Sequence, residues 1–254
     1  MLIKIIMAKD GRRGINLFTE KFHFDIVDDD KFLKDAYNEY YQIINQSQLL
    51  DNTQNGKIVL NVAINLINAV EDYLSNISFL GYVENYYDWD FHLVEDDTVN
   101  VFCMSGGKIV MLSGILSIAD TEEKVAFILG HEMAHVLLNP SRTKISAENA
   151  KNMMVSGAWV GSIAMDLVGI GSLGSITGAA TNVASIGFQF FLMNLWGRDQ
   201  ELEADYFGIL IIFWEGYDIS QIPSFWQEMS NHNDLFFMNC GNKLKEDLLW
   251  MKMY

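Results

Sequence analysis

Residues His131-Glu132-Met133-Ala134-His135 place two imidazoles and a carboxylate in the order H-E-x-x-H. On a helix of about 3.6 residues per turn the two imidazoles leave the same face one turn apart, close enough to coordinate a single metal ion. Glu132 sits beside a ligand, too close in sequence to be a third one, and is placed to take a proton from a water that the ion activates. The 254 residues contain only five histidines, at 23, 92, 131, 135 and 232. A chance H-E-x-x-H is then an event on the order of one in a hundred. The competing reading is a core helix whose two histidines happen to share a face. It requires both imidazoles to be buried and partnered amid Phe127, Ile128, Leu129 and Val136.

A catalytic zinc needs three protein ligands and one open position. The stretch Arg198-Asp199-Gln200-Glu201-Leu202-Glu203-Ala204-Asp205 supplies the best third ligand, Glu201, with Asp205 four residues on along the same helical face. Asp205 can then accept a hydrogen bond from a ligand imidazole and fix its tautomer. Glu203 points away and is expected in solvent. The expected site is one Zn2+ per chain on His131, His135 and Glu201, with Glu132 as catalytic base.

Those residues need helices and a sheet to carry them. Residues 121–138 are the most helical stretch, with Asp120 as expected N-cap, Glu123 completing a capping box and Pro140 as terminator. Before it, Trp89, Phe91 and Leu93 alternate with polar neighbours as in a half-buried strand, and apolar runs at 99–104 and 108–112 flank Ser105-Gly106-Gly107 as a hairpin. A short helix is expected over 114–118. Helical periodicity marks 28–50 and 57–74, separated by a polar turn at 51–56. A last helix is expected over 198–215, with Ala204, Phe207, Leu210, Ile211 and Trp214 on one face and Gly216 as its stop. Residues 153–197 carry one charge, Asp166, and many small residues. Length allows a membrane span, but Thr177, Thr181, Asn182, Gln189 and several glycines favour a buried or flap-like segment of a soluble domain. Membrane association through 153–197 is the alternative.

Composition bounds the partners. Asp and Glu total 33 against 17 Lys and Arg, for a formal net charge of −16. That field repels a polyanion, so nucleic acid is excluded as the main partner and an anionic membrane surface is disfavoured. Half the residues are apolar, enough for a single domain over 1–254 with a sizeable core. Cys103 and Cys240 make no disulfide framework. Residues 2–8 are apolar but are interrupted by Lys4 and followed by Lys9, Asp10, Arg12 and Arg13. This is no clear signal peptide, and the compartment is left open.

Three motifs together carry a family resemblance: Gly-Gly-Lys-Ile-Val-Met-Leu-Ser-Gly-Ile-Leu at 106–116, the H-E-x-x-H helix, and Arg198-x-x-Glu201-x-x-Ala204-Asp205. The chain resembles the zinc metallopeptidases that include HtpX, the CAAX prenyl endopeptidase and the mitochondrial Oma-type peptidase, most closely the Oma-type branch and its bacterial envelope relatives. The similarity covers roughly 10–230 and includes Gly11-Arg12-Arg13, Trp89, Asn100-Val101-Phe102 and Phe225-Trp226-Gln227. The resemblance implies an α+β, mainly helical zincin-like domain with a small hairpin or sheet beside the H-E-x-x-H helix. It implies an endopeptidase acting on peptides or on unfolded or membrane proteins, in quality control at a bacterial envelope or mitochondrial inner membrane. It maps the zinc ligands onto His131, His135 and Glu201 and the base onto Glu132; Asp205 and Arg198 are expected in supporting roles beside them. Within the single domain, 1–88 form a helical N-terminal part and 89–230 the catalytic core with its apolar insert. Residues 231–254 are expected to be an atypical, shortened end. Gly197, Ser105 and Leu138-Asn139-Pro140 depart from the family pattern, and a Thr-His-Pro segment is missing before Tyr254. His232 is the candidate replacement as oxyanion donor, although a histidine in Ser-Asn-His-Asn is more often simply solvated. The shortened end makes a zinc-binding but inactive scaffold or regulator the second reading. An exposed edge of the 99–112 hairpin is expected to take an extended substrate as an added strand.

Overall fold

The computed structural model describes residues 14–15, 22–23, 29–76, 87–138 and 198–225. The segment 153–197, Pro140, Cys240, His232 and the end at 231–254 lie outside the described residues, as does the Arg198 side chain.

The fold is α+β. A two-residue antiparallel pair, β1 (Gly14–Ile15) and β2 (Phe22–His23), precedes helices α1 (Asp29–Gln46) and α2 (Gln54–Asn76). The polar turn between the helices works as a cap: the Thr53 hydroxyl accepts from the Gly56 N–H at 3.1 Å, and the Thr53 carbonyl accepts from Lys57 at 3.1 Å. A three-stranded sheet follows, of β3 (Asp90–Val94), β4 (Val101–Met104) and β5 (Lys108–Leu112), in the order β3-β5-β4. The expected hairpin is β4 with β5, antiparallel, Val101 facing Met111 and Met104 facing Lys108. Gly106 and Gly107 make its turn at φ +84° and +83°, a region only glycine enters freely. Strand β3 pairs parallel with β5, Asp90 beside Lys108, so β5 is central and buried along its whole length.

Period-2 alternation divides the sheet residues between two layers. Phe91, Leu93, Val101, Ile109 and Met111 join the main core with α2 and the helices that follow. Val94, Phe102, Met104, Val110 and Leu112 meet Tyr40 and Ile43 of α1 on the other face. Lys108, almost fully buried on that face, has its ammonium 2.8 Å from the Asp88 carboxylate and over the Tyr37 ring. The chain before α2 closes the outer edge of β3: Leu50 N–H donates to the Leu93 carbonyl at 2.8 Å, and Leu93 N–H donates to Asp51 Oδ1 at 2.9 Å. Among the described residues this leaves β4 as the open edge.

A 3₁₀ turn, Ser113–Ser117, leads into α3 (Glu122–Leu138), which is buried on every side from Val125 to Leu137. Its N-cap is Thr121 rather than the expected Asp120: Thr121 Oγ1 accepts from the Lys124 N–H at 3.3 Å. Asp120 instead pairs with the Lys124 ammonium at 2.7 Å, because one residue further out it lies beside the first turn and not above it.

Helix α4 (Arg198–Trp214) packs along α3. It ends as expected at Gly216, φ +87°, with Tyr217 N–H donating to the Ile212 carbonyl at 3.1 Å and Gly216 N–H to Phe213 at 3.0 Å. Its buried face differs from the expected one. Ala204, Asp205, Gly208, Ile209, Ile211 and Ile212 are buried, while Phe207, Leu210 and Trp214 are only half-buried. Trp214 stacks on Tyr73 of α2, ring centroids 4.3 Å apart, while small Gly208 takes the α3 contact. Glu203, expected in solvent, is half-buried. No described helix is long and apolar enough to cross a membrane.

Candidate metal centre

Helix α3 turns His131 and His135 toward α4, their rings edge to face with centroids 4.6 Å apart. The two Nε2 atoms lie 3.0 Å from each other. Glu201 enters from the first turn of α4 and reaches both: Oε2 is 3.6 Å from His131 Nε2 and Oε1 3.6 Å from His135 Nε2. One donor atom from each of the three residues lies within 4.8 Å of the others. Both histidines are buried and Glu201 is half-buried, so the cluster is reached from the Glu201 side. Two imidazole nitrogens and a carboxylate oxygen converging on one point form a donor set that can hold a metal ion.

Behind the cluster, the fully buried Asp205 accepts the Nδ1 proton of His131 on Oδ1 at 2.9 Å. That bond commits Nε2 to the side where Glu201 and His135 meet. Arg198 is the first residue of α4. Glu132 leaves α3 on the sheet side, 94% buried, near the Cys103 main chain of β4, and its Oε1 has no hydrogen-bond partner. The structure thus brings His131, His135, Glu201 and Asp205 together, with Glu132 adjacent between α3 and the open edge.

Burial and charge set the proton affinities. Burial alone disfavours the His131 imidazolium, but the Asp205 hydrogen bond and charge, with Glu132 and Glu201, outweigh it and raise the pKa from 6.5 to about 9. His135 goes the other way: burial and the neighbouring His131 hold it below the usual imidazole range, against the opposing pull of Glu201. Burial and the Glu201 charge push Glu132 up to about 7, against the lowering effects of His131 and the Cys103 N–H. Burial also raises Glu201, but the imidazoles of His135 and His131 prevail and keep it below the usual carboxylate range. The two imidazoles are thus pushed in opposite directions across their 3.0 Å Nε2–Nε2 contact.

Residues 65–239 match the model of peptidase family M48. The chain belongs to that family. The M48 match begins within α2 and takes in the sheet, α3 and α4, which is every element that places the donor cluster. The chain is 30% identical over 163 residues to the mitochondrial metalloendopeptidase OMA1 of Saccharomyces cerevisiae, covering 63% of this chain and 42% of that protein. It is 28% identical over 141 residues to the OMA1 of Schizosaccharomyces pombe, covering 56% and 37%. The beta-barrel assembly-enhancing protease of Escherichia coli strain K12 is 27% identical over 145 residues, 55% of this chain and 28% of that protein. The chain thus spans less than half the length of these curated relatives. M48 membership and an Oma-type likeness are what the motifs at 106–116, 131–135 and 198–205 imply.

Two residues that matter to the candidate centre were not singled out from sequence. Cys103 approaches Glu132 through its main chain, which no side-chain pattern announces. Gly208 had a signal: a glycine in the interior of a helical pattern costs stability, which points to a packing reason.

Proposed function

We propose that the chain is a zinc-dependent endopeptidase in which His131 Nε2, His135 Nε2 and a Glu201 carboxylate oxygen hold one zinc ion and Glu132 is the general base. The observation that supports this reading most is the pairing of a three-donor cluster on the α4 side of α3 with a partnerless carboxylate oxygen on its β4 side. When bound, the ion supplies a Lewis acid that acidifies water and polarises a carbonyl. Asp205 holds His131 in the tautomer that presents Nε2. Glu132 Oε1 takes a proton from the attacking water and returns it to the leaving amine nitrogen. A dication nearby also favours the ionised Glu132, as a base requires.

The substrate lies as an added strand along β4, so recognition is mainly through the main chain. Strand β5, being central, has no free edge to offer. The substrates are peptides and unfolded or membrane proteins, and the role is quality control at a bacterial envelope or mitochondrial inner membrane. The likeness to mitochondrial OMA1 and to the beta-barrel assembly-enhancing protease supports this. Cleavage of casein or a quenched peptide by purified protein carrying about one zinc tests the activity.

Zinc affinity will depend on pH in a defined way. The free protein holds a proton on His131 up to a pKa of about 9, and the metal must displace it. Apparent affinity, read by chelator competition, therefore rises about tenfold per pH unit toward 9 and then levels. Below about 7 the slope steepens, as Glu132 also releases a proton. The metal-free stability from this histidine has the opposite sign. It is fully present below pH 6.5 and lost as pH rises through about 9, because the folded pKa is the higher one.

Asp205→Asn should lower zinc affinity by about 10–100-fold above pH 9. The loss at pH 7 will be smaller, since the same carboxylate also strengthens the competing proton. Chelator competition at both pH values checks it.

A further inference from the structure

We propose that Gly208 is a positioning residue for the metal centre: its contact with the α3 backbone at Gly130 and His131 sets the distance between the helix that carries the histidines and the helix that carries Glu201 and Asp205. The inference rests on the zinc reading above.

The two glycines oppose each other where α3 and α4 pack together. A Cβ on Gly208 would stand 2.8 Å from the His131 nitrogen, 2.9 Å from its Cα and 3.0 Å from the Gly130 carbonyl carbon. A Cβ on Gly130 would stand 2.9 Å from both the Gly208 carbonyl oxygen and Ile212 Cγ2. All of the atoms facing Gly208 are main-chain atoms of a fully buried helix, so no side-chain rotation relieves the contact. Glycine is the poorest helix former after proline, and two of them face each other inside packed helices. Close approach is what that arrangement secures.

Magnitudes connect this contact to the metal. Ordinary carbon contacts lie at about 3.5–4.0 Å, so an alanine methyl 2.9 Å from the His131 Cα drives the helices apart by roughly 0.6 Å. Metal–ligand distances tolerate only about 0.2 Å. Asp205 and Glu201 precede Gly208 by one and two turns on the same face of α4 and move with it. Glu201 can follow the metal by rotating its longer side chain. Asp205 is short and fully buried, already 2.9 Å from His131 Nδ1, and cannot. The first bond to stretch is therefore the one that orients His131.

The test compares Gly208→Ala with Gly56→Ala. Gly56 lies at the α1–α2 corner, beyond the β3 edge of the sheet, where a Cβ would collide with the Leu50 carbonyl oxygen. It therefore controls for general destabilisation. Zinc affinity is measured by chelator competition, and the visible spectrum of the Co2+-loaded protein reports ligand geometry. The expected result is a tenfold or greater loss of zinc affinity and an altered Co2+ spectrum for Gly208→Ala, with both unchanged in Gly56→Ala. Gly130→Ala, whose Cβ meets a carbonyl oxygen and the movable Ile212, should show the same change to a smaller degree and replaces Gly208→Ala should that variant not fold. Wild-type affinity and spectrum in the folded glycine variants would overturn the proposal, as would equal losses in Gly56→Ala. Failure of the wild type to bind zinc would instead overturn the site reading itself.

Discussion

Glu132→Gln is expected to retain zinc at close to the wild-type level and to lose peptide cleavage by about 10²–10⁴-fold, the range for removing a positioned general base. The substitution is nearly isosteric. The buried side chain therefore keeps its place between α3 and β4. What it loses is proton affinity at Oε1, the buried oxygen without a partner. Glu132 is no metal ligand in this account, so the variant separates metal binding from turnover. Metal analysis with a quenched-peptide assay on the same preparation checks it. Loss of zinc together with activity would make Glu132 part of the metal site. A wild-type chain that binds zinc without turning over any peptide would favour the scaffold reading.

Glu201→Ala is expected to do the reverse and strip the metal from a folded protein. Apparent zinc free energies of about 10–16 kcal/mol over four ligands put roughly 3 kcal/mol, more than a hundredfold in affinity, on each ligand. Glu201 is half-buried, so truncation leaves no large cavity. The fold rests instead on the contact of α3 with α4 and on the apolar core. Removal also frees the two imidazoles from the carboxylate that faces both at 3.6 Å. Zinc per chain after dialysis against a weak chelator, with a thermal melt of the metal-free protein beside it, is the measurement. Retention of stoichiometric zinc would remove Glu201 from the ligand set.

The site was legible because its chemistry is local. His131 and His135 sit one helical turn apart and Glu201 and Asp205 repeat that spacing on α4, so two short motifs fix four side chains once both segments are helical. Their convergence, by contrast, depends on how the two helices meet, and that is decided by Gly130 and Gly208, residues with no side chain to read. The same distinction holds for the fold. The β4–β5 hairpin follows from Gly106 and Gly107, whereas the parallel docking of β3 against β5 depends on contacts with α1 and the Leu50 segment that no local pattern encodes. Helix α3 is buried all round and so lacks an amphipathic stripe, and its start could be misplaced by one residue between Asp120 and Thr121. On α4 the large apolar side chains suggested the buried face, but the closest packing belongs to the small ones.

The central claim is that one zinc ion sits among His131, His135 and Glu201. A crystal of the purified protein, with anomalous scattering recorded at the zinc edge, tests it most directly. The expected result is a single peak at about 2.0–2.2 Å from His131 Nε2, His135 Nε2 and a Glu201 carboxylate oxygen, with Asp205 still bonded to His131 Nδ1. A peak on other residues, or none in protein prepared with zinc, would contradict it.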